Sequence, residues 1–325
     1  MTLEPQAAAF LRRLADAGAP PQHTLTPAQA RSAHDDAAAT VSILGEPVAE
    51  VRDVVVSGPG GEIPVRLYAP QQRERRGALV YIHGGGFVVG SLDSFDGLCR
   101  ALANRAGTTV VSVDYRRAPE HRFPAALDDC LAVTGWAAAG GAEPLAEGGS
   151  VVVAGDSAGG NLAALVAIAA RDRGGPPLAG QALLYPMTDA TMSMPSMREL
   201  AEGYSLTAAD VAWFWEHYLG ETDGSAPAPG ASPLHVEDLA GLPPALVVTA
   251  GYDPLRDEGD AYALRLSDAG NAVGRRRFDG MIHGFARMTA LFDSAVVALD
   301  EVAAFVRGLP DADPGAAEQR PALRG

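Results

Sequence analysis

The residue best suited to nucleophilic chemistry is Ser157, which lies within Gly155–Gly160, a stretch that reads GDSAGG. The apolar run Ser150–Ala154 precedes it, and the helical pattern Ala158–Arg171 follows it. A serine on a tight strand-to-helix turn exposes its hydroxyl, and glycines two positions to either side let the strand and the helix pack closely. The N-terminus of such a helix also favours negative charge that develops near the serine. We therefore predict that Ser157 is a nucleophile on such a turn.

A run of three glycines, within His83–Phe87 (HGGGF), follows another apolar stretch, Ala78–His83. Backbone N–H groups in such a run can closely approach a substrate oxygen, and acyl transfer needs donors for the oxyanion of its tetrahedral intermediate. We assign the oxyanion donors to the backbone amides of Gly84, Gly85 and Ala158. A phosphate-binding glycine loop is disfavoured, because the spacing differs from GxGxxG and the chain contains no lysine.

A serine nucleophile requires a general base, and seven histidines are candidates. His283 lies five residues beyond the last predicted strand, Gly274–Phe278, in a turn-like sequence, Gly280–Gly284 (GMIHG). His83 belongs to the glycine run, and the other five histidines fall in connections or in segments outside the predicted sheet. Only His283 has both the required chain order and a position after a strand, so we predict that it is the base.

The carboxylate that orients the base is predicted to be Asp253, which follows the apolar strand Ala245–Ala250. Serine, aspartate and histidine then occur in the chain order that α/β-hydrolases use. An alternative is that Asp253 caps a helix, because Pro254 beside it suits the first helical position. The position of Asp253 just past a strand end favours the catalytic assignment.

Short β-rich runs alternate with helical patterns along most of the chain, which predicts a doubly wound, mostly parallel sheet flanked by helices. Eight strands are predicted, at Glu50–Ser57, Glu62–Tyr68, Ala78–His83, Thr108–Val113, Ser150–Ala154, Gln181–Tyr185, Ala245–Ala250 and Gly274–Phe278. Helices are predicted at Ser94–Arg105, Phe123–Ala138, Ala158–Arg171, Arg256–Ala269 and Thr289–Val306. The first two strands are joined by Gly58–Gly61 (GPGG), a hairpin turn that would place antiparallel strands at one edge.

Two segments lie outside this alternation, and we predict that they form a helical cap over the C-terminal edge of the sheet. They are residues 1 to about 45, which are Ala-rich and helical, and residues 188 to about 224. The second segment contains the aromatic cluster Trp213–Trp215 (WFW), which either lines a pocket or packs in the core. The alternative for both segments is that they only extend the core, as apolar helical stripes usually do. Residues 1–325 are expected to form a single domain with a loose tail after Leu309.

Composition narrows the classes of partner and of chemistry. The formal net charge of −15 disfavours nucleic acid and anionic membrane surfaces, and no uninterrupted apolar stretch reaches the length of a membrane span. All 25 basic residues are arginine, which excludes a lysine nucleophile, a Schiff base and a P-loop. Cys99 and Cys130 offer no metal-ligand spacing and are expected to be small buried residues rather than a disulfide. With no visible signal sequence, we expect a soluble cytoplasmic protein without a metal.

These motifs, in this order, resemble the bacterial hormone-sensitive lipase family of carboxylesterases over about residues 50 to 308. The matching stretches are His83–Phe87 (HGGGF), Asp114–Glu120 (DYRRAPE), Gly155–Gly160 (GDSAGG), Asp253–Gly259 (DPLRDEG) and His283–Phe285 (HGF). The resemblance implies an α/β-hydrolase fold with a mixed eight-stranded sheet and a helical cap. It also implies hydrolysis of short- to medium-chain acyl esters without a cofactor, a structural role for Asp114–Glu120, and a homodimer in many members.

Three other functions stay open at this point. An amidase or peptidase on the same fold would use the same residues, and a receptor related to this family would bind a small molecule without turnover. Such receptors resemble hydrolases that lost the catalytic histidine, whereas His283 is present here. A purely structural domain is disfavoured, because a strained serine turn, a glycine loop and an ordered triad have no reason to coincide in one. A small-molecule ester is the expected partner.

Overall fold

The computed structural model describes residues 2–41, 45–75, 77–143, 146, 149–220 and 230–310. In this part of the chain, eight strands form one sheet: β1 Glu50–Gly58, β2 Gly61–Ala69, β3 Ala78–Ile82, β4 Thr109–Val113, β5 Val151–Asp156, β6 Leu178–Leu184, β7 Ala245–Tyr252 and β8 Val273–Ile282. Their spatial order is β1-β2-β4-β3-β5-β6-β7-β8, and strands β3 to β8 run parallel to one another. β1 and β2 form an antiparallel hairpin at one edge, so the predicted mostly parallel sheet is confirmed.

The described residues also form nine α-helices: α1 Pro5–Ala17, α2 Pro27–Val41, α3 Asp96–Ala106, α4 Ala125–Ala138, α5 Ala158–Asp172, α6 Pro195–Glu199, α7 Ala208–Leu219, α8 Arg256–Asp268 and α9 Asp293–Gly308. Three short 3₁₀ turns lie in the connections, at Gln22–Thr24, Pro233–His235 and Phe285–Arg287. Helix α9 begins at Asp293 and not at Thr289 as predicted. Residues 289–291 form a turn instead. None of these helices combines the length and the apolar character that a membrane span requires.

Two apolar cores lie on opposite faces of the sheet. Neighbouring residues of one strand enter different cores: Val80 joins the core that contains α4, α5 and α8, whereas Leu79 joins the core that contains α3 and α9. Every residue of β3, β4 and β5 is buried, as expected for parallel strands covered by helices on both faces. Cys99 and Cys130 are unpaired and buried, one in each core, which confirms that they act as apolar core residues.

Strand β8 is longer than predicted. It continues beyond Gly274–Phe278 to Ile282, so His283 follows the strand directly and not after a turn. A register shift between β7 and β8 lets Tyr252 pair with Ile282. Gly251 lies within this shift, and a Cβ atom there would come within 2.1 Å of a carbonyl oxygen of β8. The end of the strand reads DGMI, and the sequence conceals the pairing because aspartate followed by glycine usually marks a turn.

The turn from β5 to α5 depends on two glycines that have no room for a side chain. A Cβ atom on Gly155 would lie 2.3 Å from the carbonyl oxygen of Gly159, and one on Gly159 would lie 2.0 Å from that of Ile82. Helix α5 therefore crosses the ends of β3 and β5 with its backbone in contact with theirs. This close crossing brings the N-terminus of α5 to the C-terminal edge of the sheet.

Buried polar side chains fix the segment between β6 and β7 to the rest of the fold. Asn161 in α5 donates to the carbonyl oxygens of Met187 and Ala231, at 2.7 and 2.9 Å, near the two ends of that segment. Glu258 in α8 accepts through Oε1 from the backbone amides of residues 188–189, at 2.5 and 3.1 Å. Both side chains are fully buried, so loss of either would leave buried backbone groups without a partner.

Gly159→Ala is expected to destabilise the fold by about 3 kcal/mol or more, because the added Cβ would collide with backbone atoms that cannot move independently. The measurement is the free energy of unfolding in urea for the variant and the wild type. Gly135→Ala in α4 is the matched control, since a Cβ there would have no contacting atom within 4 Å. The control should be neutral or stabilising by up to about 1 kcal/mol. Equal unfolding free energies for the two variants would contradict the packing described for the β5–α5 turn.

Glu258→Gln is expected to change how stability depends on pH. Burial raises the pKa of Glu258 well above its ordinary 4.5. The contribution of Glu258 to folding stability is therefore fully present below the unfolded-state pKa, and it is lost as the pH rises through the raised folded-state pKa. The melting temperature of the wild type should therefore fall by a few degrees relative to Glu258→Gln between about pH 5 and about pH 8. Glu237→Gln, at an exposed position, is the control and should follow the wild type. A difference between wild type and Glu258→Gln that stays constant over this range would refute the prediction.

Candidate active site

Three side chains meet at the C-terminal edge of the sheet, and each follows the last residue of a parallel strand. Ser157 follows β5, Asp253 follows β7 and His283 follows β8. His283 Nε2 lies 2.9 Å from Ser157 Oγ, and His283 Nδ1 lies 2.7 Å from Asp253 Oδ2. The structure thus brings the three sequence-predicted residues into one continuous hydrogen-bonded chain.

The backbone at Ser157 has a conformation that residues with side chains rarely adopt, with φ 55° and ψ −120°. Such strain costs about 1–3 kcal/mol and persists only where the surrounding structure enforces it. Here the Ser157 amide donates to the Leu184 carbonyl at 2.8 Å, and the Ser157 carbonyl accepts from the Met187 amide at 3.1 Å. The turn leaves the hydroxyl within hydrogen-bond distance of His283, in the wall of a cavity.

Asp253 has two partners. Oδ2 contacts His283, and Oδ1 accepts from the Leu255 amide at 2.8 Å. Because the side chain is fully buried, this second hydrogen bond fixes the carboxylate in the orientation that contacts the histidine. Helix α8 begins at Arg256. The Asp253 side chain therefore caps the turn before α8 and not the helix itself, which was its alternative role. With the Nδ1 hydrogen directed to the carboxylate, His283 Nε2 faces Ser157 as an acceptor.

The amide of the first glycine in the run has a different partner, which corrects the assignment of Gly84 as an oxyanion donor. This amide donates to Asp156 Oδ1 at 2.8 Å, and the Tyr81 hydroxyl donates to the same oxygen at 2.8 Å. Asp156 is buried, and burial raises the pKa of its carboxyl group. A buried carboxyl group has to be satisfied by donors, so the Gly84 hydrogen is committed to it.

The next two glycines present their amides differently. Gly85 and Gly86 line the cavity that contains Ser157, and within the described ranges their N–H groups, like that of Ala158, donate no hydrogen bond. Gly86 has φ +58°, and a Cβ atom on it would come within 2.0 Å of the Phe214 ring. Sequence reasoning did not identify Gly86, because three consecutive glycines do not indicate which amides face a substrate.

Neighbouring segments hold the residues that follow the three glycines by their carbonyl groups. The Ala118 amide donates to the Phe87 carbonyl at 2.9 Å. Arg31 in α2 donates through Nε to the Val88 carbonyl at 2.8 Å. The stretch Asp114–Glu120 therefore contacts the glycine run directly and orients its backbone, while none of its residues contacts the Ser157 hydroxyl.

His83 is a packing residue at the start of the glycine run. Its ring stacks with Tyr115 and Phe95, at centroid distances of 4.4 and 5.3 Å, and its Nδ1 lies 2.7 Å from the Gly84 carbonyl oxygen. Burial lowers the pKa of His83 to about 4, so its ring is neutral at physiological pH. Across the described residues, no group of His, Cys, Asp or Glu side chains is arranged to hold a metal ion.

The cavity beside Ser157 is also lined by both segments that lie outside the sheet-and-helix alternation. The lining residues from these segments are Gln22 and His34 of the N-terminal segment, and Ser205, Leu206, Val211 and Phe214 of the segment between β6 and β7. The two segments contact each other where the His23 amide and ring nitrogen Nδ1 meet Asp210 Oδ1, at 2.9 and 2.8 Å. Residues 221–224 of the second segment, and the tail from residue 311, lie outside the described residues.

The aromatic cluster divides between the two roles that the sequence left open. Phe214 lines the cavity and packs on Gly86. Trp215 is buried, with its ring 5.3 Å from that of Phe87, and so belongs to the core. Trp213 is half-buried and packs against His217 of its own helix, α7.

The comparisons with known proteins agree on one family. A family model described as an alpha/beta hydrolase fold matches residues 79–287, more than half of the chain. Carboxylic ester hydrolase LipN of Mycobacterium tuberculosis is 43% identical over 263 residues, which cover 79% of this chain and 70% of the relative. Esterase LipI of the same organism is 44% identical over 256 residues, with coverages of 78% and 80%. Ethyl acetate hydrolase of Pseudomonas putida is 37% identical, with coverages of 91% and 95%.

Solved structures of esterases superpose closely on this fold. An ester hydrolase from the metagenome of Lake Arreo, solved with a bipyridine phosphonate derivative, has a TM-score of 0.89 at 41% identity, covering 94% of this chain and 98% of its own. The hyperthermophilic esterase of the archaeon Pyrobaculum calidifontis has a TM-score of 0.87 at 40% identity, with the same coverages. The predicted fold, family and activity are therefore confirmed: the chain belongs to the α/β-hydrolase-fold family and is a carboxylic ester hydrolase of the hormone-sensitive lipase type.

Proposed function

We propose that Ser157, His283 and Asp253 hydrolyse the ester as a catalytic triad. The observation that most directly supports this is the hydrogen-bonded chain from Ser157 Oγ through His283 to a fully buried carboxylate, beside a cavity. His283 Nε2 removes the hydroxyl proton as Ser157 Oγ attacks the ester carbonyl, and a tetrahedral intermediate forms. The protonated His283 then gives this proton to the leaving alcohol, which leaves an acyl-enzyme. Water deprotonated by the same nitrogen attacks the acyl-enzyme and releases the acid.

The oxyanion of the tetrahedral intermediate is held by the amides of Gly85, Gly86 and Ala158. Gly86 takes the place first assigned to Gly84, whose hydrogen is bound to Asp156. The support for this set is that none of the three amides donates to another group in the described structure. Ala158 also begins helix α5, whose N-terminus carries a partial positive charge. Each such donor contributes roughly 10²–10³ in rate.

The substrates are small-molecule esters with short to medium acyl chains. Apolar residues, including Leu206, Val211 and Phe214, line part of the cavity and provide a surface for a hydrocarbon chain. The contact of Phe214 with Gly86 places this ring beside the proposed oxyanion site, where it limits the depth available to the acyl chain. The relative from Pseudomonas putida, named an ethyl acetate hydrolase, supports small esters as substrates.

The described parts of residues 1 to about 45 and 188 to about 224 form a cap over this cavity within a single domain. The support is that both segments line the cavity and contact each other through His23 and Asp210. A homodimer and a cytoplasmic location stay predictions from the sequence. Light scattering on the purified protein would test the first, and cell fractionation the second.

Ser157→Ala should reduce the hydrolysis of p-nitrophenyl butyrate by at least about 10³-fold, because the variant lacks the attacking oxygen. The measurement is kcat/KM from release of p-nitrophenol. Ser57→Ala, at an exposed position of β1, is the control and should keep wild-type activity. Normal turnover by Ser157→Ala would show that another residue is the nucleophile.

Phe214→Ala should shift the preferred acyl length of p-nitrophenyl esters, from acetate to laurate, towards longer chains. The reason is that removing the ring opens space beside Gly86. The shift is expected to be about two to four methylene groups, and each methylene buried in the freed space should raise kcat/KM about fourfold, because burial of one contributes about 0.8 kcal/mol. Phe305→Ala in α9, away from the cavity, is the matched control and should keep the wild-type profile. An unchanged profile for Phe214→Ala would mean that this ring does not limit the acyl chain.

A further inference from the structure

The cavity beside Ser157 has a polar corner formed by Arg287 and His34. Both residues line the cavity, and Arg287 Nη1 lies 3.0 Å from His34 Nε2. They come from distant parts of the chain, because Arg287 ends the 3₁₀ turn that follows His283, whereas His34 lies in α2. Neither residue has a part in the proposed triad or oxyanion site, so the mechanism leaves this corner unexplained.

The contact fixes which atoms of His34 can donate. A guanidinium group carries only donors, so His34 Nε2 accepts from Arg287 and the ring hydrogen lies on Nδ1. Nδ1 is buried and forms no hydrogen bond within the part of the chain described here, and Asp35 Oδ1 is 3.8 Å away from it. A buried donor without an acceptor is costly in a folded protein, and an acceptor on a bound ligand would remove that cost.

Aromatic packing and burial define the position and the charge state of the corner. The His34 ring lies nearly parallel to the Phe95 ring at a centroid distance of 6.1 Å, and the Arg287 guanidinium carbon lies 5.9 Å from the centre of the same ring. Burial, and then the charge of Arg287, lowers the pKa of His34 well below its ordinary 6.5. At physiological pH the corner therefore offers N–H donors from one neutral ring and one cation.

The surrounding charges favour a ligand without charge. The buried carboxyl group of Asp156 interacts with the Arg287 cation, and the triad carboxylate of Asp253 lies in the same site. The net charge of −15 on the chain also repels anions at long range. A neutral oxygen atom accepts hydrogen bonds from the corner without meeting this repulsion.

We propose that Arg287 and His34 bind an uncharged oxygen acceptor, such as a keto or ether oxygen, in the acyl or alcohol part of the ester that Ser157 attacks. The proposal rests on the proposed function and deepens it by naming a substrate class. Because Leu206, Val211 and Phe214 make another part of the cavity wall apolar, the other arm of the ester is a hydrocarbon. The preferred substrates are therefore esters with one hydrocarbon arm and one oxygen-bearing arm.

Two matched pairs of esters test this selection. Ethyl 3-oxobutanoate and ethyl butanoate differ by an oxygen in the acyl arm, and 2-methoxyethyl butanoate and butyl butanoate differ by an oxygen in the alcohol arm. For each pair, kcat/KM for the oxygen-bearing ester is divided by that for the plain ester, using a pH-stat. The ratio is measured for the wild type, Arg287→Met and His34→Phe. Each ratio is compared between proteins for the same pair of esters. Differences in intrinsic reactivity between the two esters therefore cancel.

The ratio for at least one pair is expected to fall about tenfold in both variants, which is the effect of one lost hydrogen bond. Arg287→Gln keeps an N–H donor and should retain part of the wild-type ratio. If circular dichroism shows that Arg287→Met does not fold, Arg287→Gln replaces it in the comparison. Arg12→Met and His121→Phe, at exposed positions outside the cavity, are the matched controls and should keep the wild-type ratio.

Unchanged ratios for both pairs in folded, active His34→Phe and Arg287→Met would overturn the proposal, and unchanged ratios in His34→Phe alone would do so if Arg287→Met does not fold. A wild-type preference for the anion of monoethyl succinate over ethyl 4-methylpentanoate, lost in Arg287→Met, would also overturn it, because the corner would then select a carboxylate. Absence of turnover of every ester by the folded wild type would instead refute the proposed function. The two failures are therefore distinguishable.

Discussion

The strained backbone at Ser157 is the feature on which the rest of the site depends, and direct backbone contact between α5 and the ends of β3 and β5 maintains it. Gly155 and Gly159 allow this contact, since any side chain there would overlap carbonyl oxygens. Once the serine is fixed, the parallel strands bring the other groups to the same edge. β7 and β8 end immediately before Asp253 and His283, and β3 ends where the glycine run begins.

Buried acidic side chains hold the loops around this edge by accepting from backbone amides. Asp156 accepts from Gly84, Asp253 accepts from Leu255, and Glu258 accepts from residues 188–189, between β6 and β7. A buried carboxyl group needs donors, so each of these hydrogen bonds holds the loop backbone that supplies it. The acidic residues of this chain therefore include several that determine loop geometry, in addition to those that produce its net charge.

The sheet edge and the surrounding segments contribute different properties to the cavity. Ser157, His283 and the glycine run all follow strands of the sheet. Other side chains that line the cavity come from α2, from α7 and from the 3₁₀ turn after His283. In the mechanism proposed here, the sheet therefore positions the reacting groups, whereas the apolar wall and the corner of Arg287 and His34 select among esters.

The sequence by itself determined the alternation of strands and helices, the hairpin at the edge, and the order of Ser157, Asp253 and His283, because these follow from local periodicity and short motifs. It did not determine the length of β8, which depends on a register shift beside Gly251 and on pairing across the sheet. It also assigned the amide of Gly84 to the oxyanion, although Asp156, 72 residues away in the chain, binds that hydrogen. The contact of His34 with Arg287 joins residues 253 positions apart. Long-range contacts of this kind depend on how the elements pack, and no local pattern in the sequence encodes them.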